Sequence, residues 1–109
     1  MTVATIDVAK DFSPFPAGRL ITDGPFSGAR FRDEYLVPAL RDNDAVEIIL
    51  DGAKGYGSSF LEEAFGGLVR SGLFDRRALK DKLRLVGQKA GFSIYITNIW
   101  SYIDSAVRA

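Results

Sequence analysis

The sequence predicts an α/β domain: a mixed four-stranded sheet covered by helices, in the element order ββαβα(α)βα. Three observations carry this reading. Val46, Ile48, Ile49 and Leu50 form an apolar run too short for a helix and too apolar for a loop, as expected of a strand buried on both faces. That run passes through the bend GAKGYG into Phe60, Leu61, Ala64, Phe65 and Leu68, which recur at helical spacing. A strand, helix and strand in succession usually give parallel neighbours with right-handed crossovers, whereas two successive strands at the start can pair antiparallel.

In chain order, residues 2–8 alternate loosely and are rich in β-branched side chains, giving a first strand with Ile6 and Val8 on one side. KDFSPFP, residues 10–16, reads as a turn, because two prolines interrupt a ladder. Residues 18–22 are expected as a second strand pairing back on the first. Ser27 is a candidate N-cap for a helix to about Leu40, with Phe31, Tyr35, Leu36 and Leu40 facing inward. Pro38 removes one amide and crowds the carbonyl four residues back, so that helix should change character near residues 34–37.

After the central strand and its helix, Gly72 is the natural left-handed terminator, and Asp75 caps a short helix to about Asp81. Residues 82–86 alternate as a strand, with Leu83 and Leu85 on one side. The segment SIYITNI has strand-like composition, but Ile96, Ile99, Trp100, Ile103 and Val107 follow helical spacing, and Ser93 can cap; a helix is expected.

A chain of 109 residues is expected to form one domain with a sufficient core of its own. There is no cysteine and no histidine, which excludes thiol chemistry and thiolate metal sites and removes the commonest general base and metal ligand. No apolar run reaches a membrane span and no signal-peptide pattern opens the chain, so a cytoplasmic location is expected, with no metal and no cofactor. Formal net charge is zero but uneven: residues 1–69 hold 6 basic and 11 acidic side chains, and residues 70–109 hold 8 basic and 3 acidic. A basic run of this kind is more often a solvated helix face than a nucleic-acid footprint, and no aromatic residues interleave with it as single-strand binding would favour.

Chemistry is expected where the central strand ends, because sites in such sheets form at the carboxyl ends of strands. Asp51 stands there, followed by Gly52, Gly55 and Gly57, which let the backbone turn sharply. Ser58 or Ser59 is a candidate N-cap; from Ser59, Glu62 falls at the capping-box position, and Glu62 and Glu63 both complement the positive end of the helix dipole. Asp23, Arg30 and Arg32 read as a loop patch, Trp100 as core, and Phe12, Phe15 and Phe26 as residues packing the proline loop.

The segments DFSPFPAGR, DGPFSGARFR, LVPAL and above all LDGAKGYGSSFLEEAFGGL resemble the STAS-like domain family of uncharacterised function found in prokaryotes, over residues 6–70. The resemblance implies a fold similar to STAS domains. Their best-known members are anti-sigma factor antagonists, which switch partners when a serine at a helix N-terminus is phosphorylated by a kinase of the histidine-kinase-like ATPase fold. Ser58 and Ser59 hold the corresponding place here. The aspartate that usually precedes the serine in STAS domains is replaced by Gly57, and the nearest aspartate is Asp51.

The reading that follows is a non-enzymatic interaction module. It docks a protein partner, a histidine-kinase-like ATPase or another signalling protein, through Asp51, Lys54, Gly55, Gly57, Ser58, Ser59 and Glu62, with serine phosphorylation as the candidate switch. The alternative is a phosphate- or nucleotide-binding module using the GYGSS turn, although neither G-x-x-x-x-G-K-S/T nor G-x-G-x-x-G is completed. An enzyme built on Asp51 and a serine would need Lys54 or a carboxylate as its base.

Overall fold

A computed structural model describes residues 1–108. Strand β1 (Val3–Asp7), β2 (Ala45–Ile49) and β3 (Leu83–Val86) form a parallel sheet in the order β1-β2-β3. Ile6 lies opposite Ile48, and Ile48 opposite Leu85, so these side chains form one row on one face. Strand order and sequence order coincide, and right-handed crossovers that always step the same way place their helices on the same face. The opposite face presents Thr5, Glu47 and Arg84 in one polar row, with Thr5 and Arg84 exposed and Glu47 half-buried.

The first crossover is helix α1, residues 28–42, in which Gly28–Phe31 and Val37–Asp42 are joined by a wider π-helical segment, Arg32–Leu36. Pro38 explains the widening: it has no N–H for the Glu34 carbonyl, and the helix instead closes Val37 N–H onto the Arg32 carbonyl. This is the change of character expected at the proline. The second crossover is helix α2, residues 58–70, where Ser58–Leu61 and Gly67–Arg70 flank a second π-helical segment, Glu62–Gly66. A short α3 (Arg76–Lys82) precedes β3, and α4 (Ser93–Ser105) ends the order.

The expected second strand at residues 18–22 does not form, and the sheet is three-stranded and parallel, not four-stranded and mixed. The backbone of that segment is occupied elsewhere. The Gly18 and Arg19 carbonyls accept from Gly28 and Ala29 at the start of α1, and the Asp23 carboxylate accepts from Arg19 and Leu20 N–H at 3.1 and 2.9 Å. Gly18 and Gly24, at φ 92° and 150°, take conformations closed to other residues, so the segment is a turn docked on α1. Gly72 terminates α2 at φ 79° as expected, and the Asp75 carboxylate accepts from Ala78 N–H at 2.8 Å. Ser93 does not cap α4; it is the first helical residue, after an N-cap Phe92 that makes no side-chain bond.

The core lies between the sheet and the helices. Phe31, Phe60, Phe65, Leu36, Leu40, Ile48, Leu50, Leu68, Leu79, Ile99 and Ile103 are fully buried. Each side chain of this size contributes about 1.5–3 kcal/mol by leaving water. Trp100 is half-buried against this core, and Val107 lies beyond the end of α4, exposed. Phe12 packs on Phe26, Phe31, Tyr35 and Phe60 with ring centroids 5.1–6.2 Å apart, so the proline loop is closed over α1 as expected, but Phe15 points out. Among the described residues no helix is long and apolar enough to cross a membrane.

Candidate functional site

Residues 50–57 join the end of β2 to α2, and they are held on every side. Leu50 N–H donates to the Val86 carbonyl at 2.9 Å, and the Tyr56 hydroxyl donates back to the Leu50 carbonyl at 2.8 Å, closing the bend on itself. Tyr56 is buried against Phe60, Phe92 and Tyr95. Burial, with the Asp7 and Asp51 carboxylates nearby, raises its pKa well above the ordinary phenol value, so it stays a neutral donor. Lys54 N–H donates to the Pro14 carbonyl at 2.9 Å, which ties the proline loop to the bend.

Asp51 is not a free carboxylate. It accepts from Lys89 N–H at 2.6 Å and so fixes the loop after β3 to the loop after β2. The glycines differ from expectation too. Gly52, Gly55 and Gly57 all avoid positive φ, so no sharp left-handed turn occurs in this bend. Gly52 serves close approach instead, since a Cβ there would stand 2.8 Å from that of Ala9. An anion-cradling nest alternates right- and left-handed residues, and the bend lacks the left-handed ones.

The serine pair departs further. Gly57 is the N-cap of α2 and makes no side-chain bond; Ser58 and Ser59 are the first two helical residues, and the expected cap and capping box are not made. The reason is positional, because an N-cap hydroxyl must precede the helix to reach back to its free amides. Both serines are exposed and, among the described residues, neither hydroxyl has a hydrogen-bond partner. Lys54 and Gly57 are exposed beside them, while Gly55 is half-buried near the Tyr95 hydroxyl. Phe15, Leu20 and Ile21, on the loop that Lys54 anchors at one end and Arg19 at the other, are exposed as well, Ile21 at 67%.

One turn further along α2 lies an arrangement that sequence reading did not assemble. Arg19 and Arg70 both bond Glu62, Arg70 at 2.5 Å, and Glu63 bonds Arg32 while Arg19 and Arg70 stand 3.3 Å from its other oxygen. Arg32 also reaches Asp33 at 2.9 Å and the Glu63 carbonyl at 3.2 Å. Three guanidiniums therefore meet three carboxylates. Burial would raise the Glu62 pKa, but the bonds from Arg70 and Arg19 outweigh it and hold the carboxyl below its ordinary value. The Glu62 bond raises Arg19 in turn; for Arg32, burial acts to lower the pKa, and the bonds to Asp33 and Glu63 overcome it.

Glycine makes room for this network. A Cβ on Gly67 would come within 2.6 Å of the Arg32 guanidinium, and one on Gly66 equally close to Glu62. The only sequence signal for it was the pairing of EE with GG four residues on. Among the described residues no three carboxylates gather as a metal site.

Comparison with family models decides the class. The model for a STAS-like domain of unknown function matches residues 27–88, more than half of the chain. The chain belongs to this STAS-like family. The match includes α1, β2, the serine bend, α2 and β3, so it reaches further toward the C-terminus than the resemblance read over residues 6–70 and begins later. No curated protein and no solved structure matches the chain. A parallel sheet with helices on one face fits a STAS-like fold.

Proposed function

We propose that this STAS-like domain is a cytoplasmic, non-enzymatic docking module whose contact face is centred on Ser58 and Ser59. The observation that carries the reading is the exposed, unpartnered serine pair on a bend held rigid behind it by Tyr56, Asp51 and Lys54. A prearranged surface loses little conformational freedom on binding, so more of its contact energy appears as affinity. Phe15, Leu20 and Ile21 supply the apolar part of the face and Lys54 a cation at its rim. A nucleophilic serine would need a base, and with no histidine in the chain and Asp51 bonded to Lys89 N–H, the setting favours recognition over reaction.

The same geometry supports phosphate as the switch. In sequence, Glu62 and Glu63 stand ready to repel a phosphoserine one turn earlier; in the fold, Arg19, Arg32 and Arg70 neutralise both. A phosphate on Ser58 or Ser59 would then meet the free amides of the first turn of α2 without an opposing charge.

Incubation with a histidine-kinase-like ATPase and ATP, followed by intact-mass measurement, tests the switch. The expected result is the gain of one phosphate, lost in the Ser58→Ala/Ser59→Ala pair; no gain would end the phosphorylation mechanism. Docking itself is tested by titrating that ATPase against Ile21→Asp and Lys54→Glu. Ile21→Asp should weaken binding by about tenfold or more, the size expected of an apolar contact buried in an interface, and Lys54→Glu, at the rim, should act mainly by slowing association; unchanged affinity and association rate in both would remove the proposed face.

A further inference from the structure

At the far end of α2, about 18 Å from Ser58 at 1.5 Å per residue, a cavity of about 450 Å³ opens among Val69, Phe74, Arg76, Arg77, Val107 and Arg108. Its volume lies in the range that holds small organic ligands, roughly 300–1,000 Å³. Its lining is of two kinds. Val69, Phe74, Ala106 and the exposed Val107 are its apolar lining, and three arginines share the lining with the single carboxylate of Asp75.

That carboxylate is already committed to the Ala78 amide. Arg76 is committed as well, donating to the Ile103 and Ala106 carbonyls at 3.3 and 2.6 Å and so holding the end of α4 against the cavity wall. Arg77 and Arg108, both exposed, enter no ion pair among the described residues and line the hollow beside its apolar residues. Gly72 belongs to the design: its φ of 79° ends α2, and a Cβ there would stand 2.8 Å from the Arg108 guanidinium.

We propose that this cavity is a second binding site, separate from the serine face, for a small amphipathic anion. The acid group, whether carboxylate, sulfonate or phosphate, meets Arg77 and Arg108, and an aromatic or short aliphatic body covers Val69, Phe74 and Val107. Guanidinium forks suit such acid groups because they donate two parallel charge-assisted bonds.

The test is titration of the full chain with naphthalene-2-sulfonate, read by amide chemical shifts. Saturable shifts at Gly72, Phe74, Arg77 and Val107 are expected. Neutral naphthalene-2-sulfonamide and inorganic phosphate should each bind at least about tenfold more weakly, one lacking the charge and the other the apolar body. The Arg77→Glu/Arg108→Glu variant should lose at least about tenfold in affinity with an unchanged melting temperature. Arg108→Gln alone, outside every helix and strand, gives the same reading should charge reversal disturb folding. Equal binding of the sulfonamide or phosphate, shifts scattered over the surface, or undiminished binding by the variants would overturn the site.

Discussion

Two helices of this molecule begin at serines, and the two beginnings are built in opposite ways. At α1, Ser27 is the N-cap, fully buried, and its hydroxyl accepts from Arg30 N–H at 3.2 Å. The next residue, Gly28, lies so close to α2 that a Cβ would overlap the Phe60 carbonyl oxygen. At α2 the cap is Gly57, with open space where its side chain would be, and Ser58 and Ser59 stand in solvent. The first serine is consumed by the fold. The second pair is not, and a polar group that the fold leaves unused at a rigid, exposed bend is one that a partner can use.

Substitutions at the two starts should separate accordingly. The largest effect is expected for Gly28→Ala, where the added methyl drives α1 from α2; unfolding by denaturant should show a loss of about 3 kcal/mol, the upper range for overpacking. A loss below 1 kcal/mol would mean that the two helices are less tightly docked than described. Next comes Glu63→Gln, which leaves Arg32 with a weaker partner in a mostly buried position; about 2 kcal/mol should be lost.

The acid limb of stability belongs to the same network. Glu62 has its pKa lowered on folding, so its contribution is fully present above the ordinary value of 4.5 and is lost as pH falls through the lowered folded value. Melts between pH 7 and pH 3 should show this decline, and Glu62→Gln should flatten it. Ser27→Ala should then cost about 1 kcal/mol, the usual worth of an N-cap hydroxyl. Ser58→Ala and Ser59→Ala come last, each within about 0.5 kcal/mol of the parent, as for other exposed positions without structural duty.

Much of the fold could be read from local pattern. The central strand, both long helices, the capping by Ser27 and Asp75, the Gly72 terminator and the altered helix near Pro38 each follow from a few neighbouring residues. Residues 18–22 misled because β-like composition says nothing of where backbone bonds go; the decisive partners, Gly28 and Ala29, lie further along the chain and donate through backbone N–H groups that nearly any sequence would have. The serine bend was legible as a location but not in its detail, since whether Gly57 or Ser58 is the cap turns on one residue of register. The arginine–glutamate network was out of reach: Arg70 shares α2 with Glu62 and Glu63, but Arg32 reaches them only through the packing of α1 on α2 and Arg19 only through the docking of the loop before α1.

The central claim, that one serine start is structural and the other free for a partner, is tested most directly by measuring stability and partner affinity on the same two variants. With a histidine-kinase-like ATPase as the titrant, Ser27→Ala should lower the unfolding free energy by about 1 kcal/mol and leave the affinity of the folded protein unchanged. Ser58→Arg, a bulky substitution on the exposed bend, should leave stability within about 0.5 kcal/mol and abolish binding. Full affinity in Ser58→Arg, or a stability loss there as large as that of Ser27→Ala, would contradict the account.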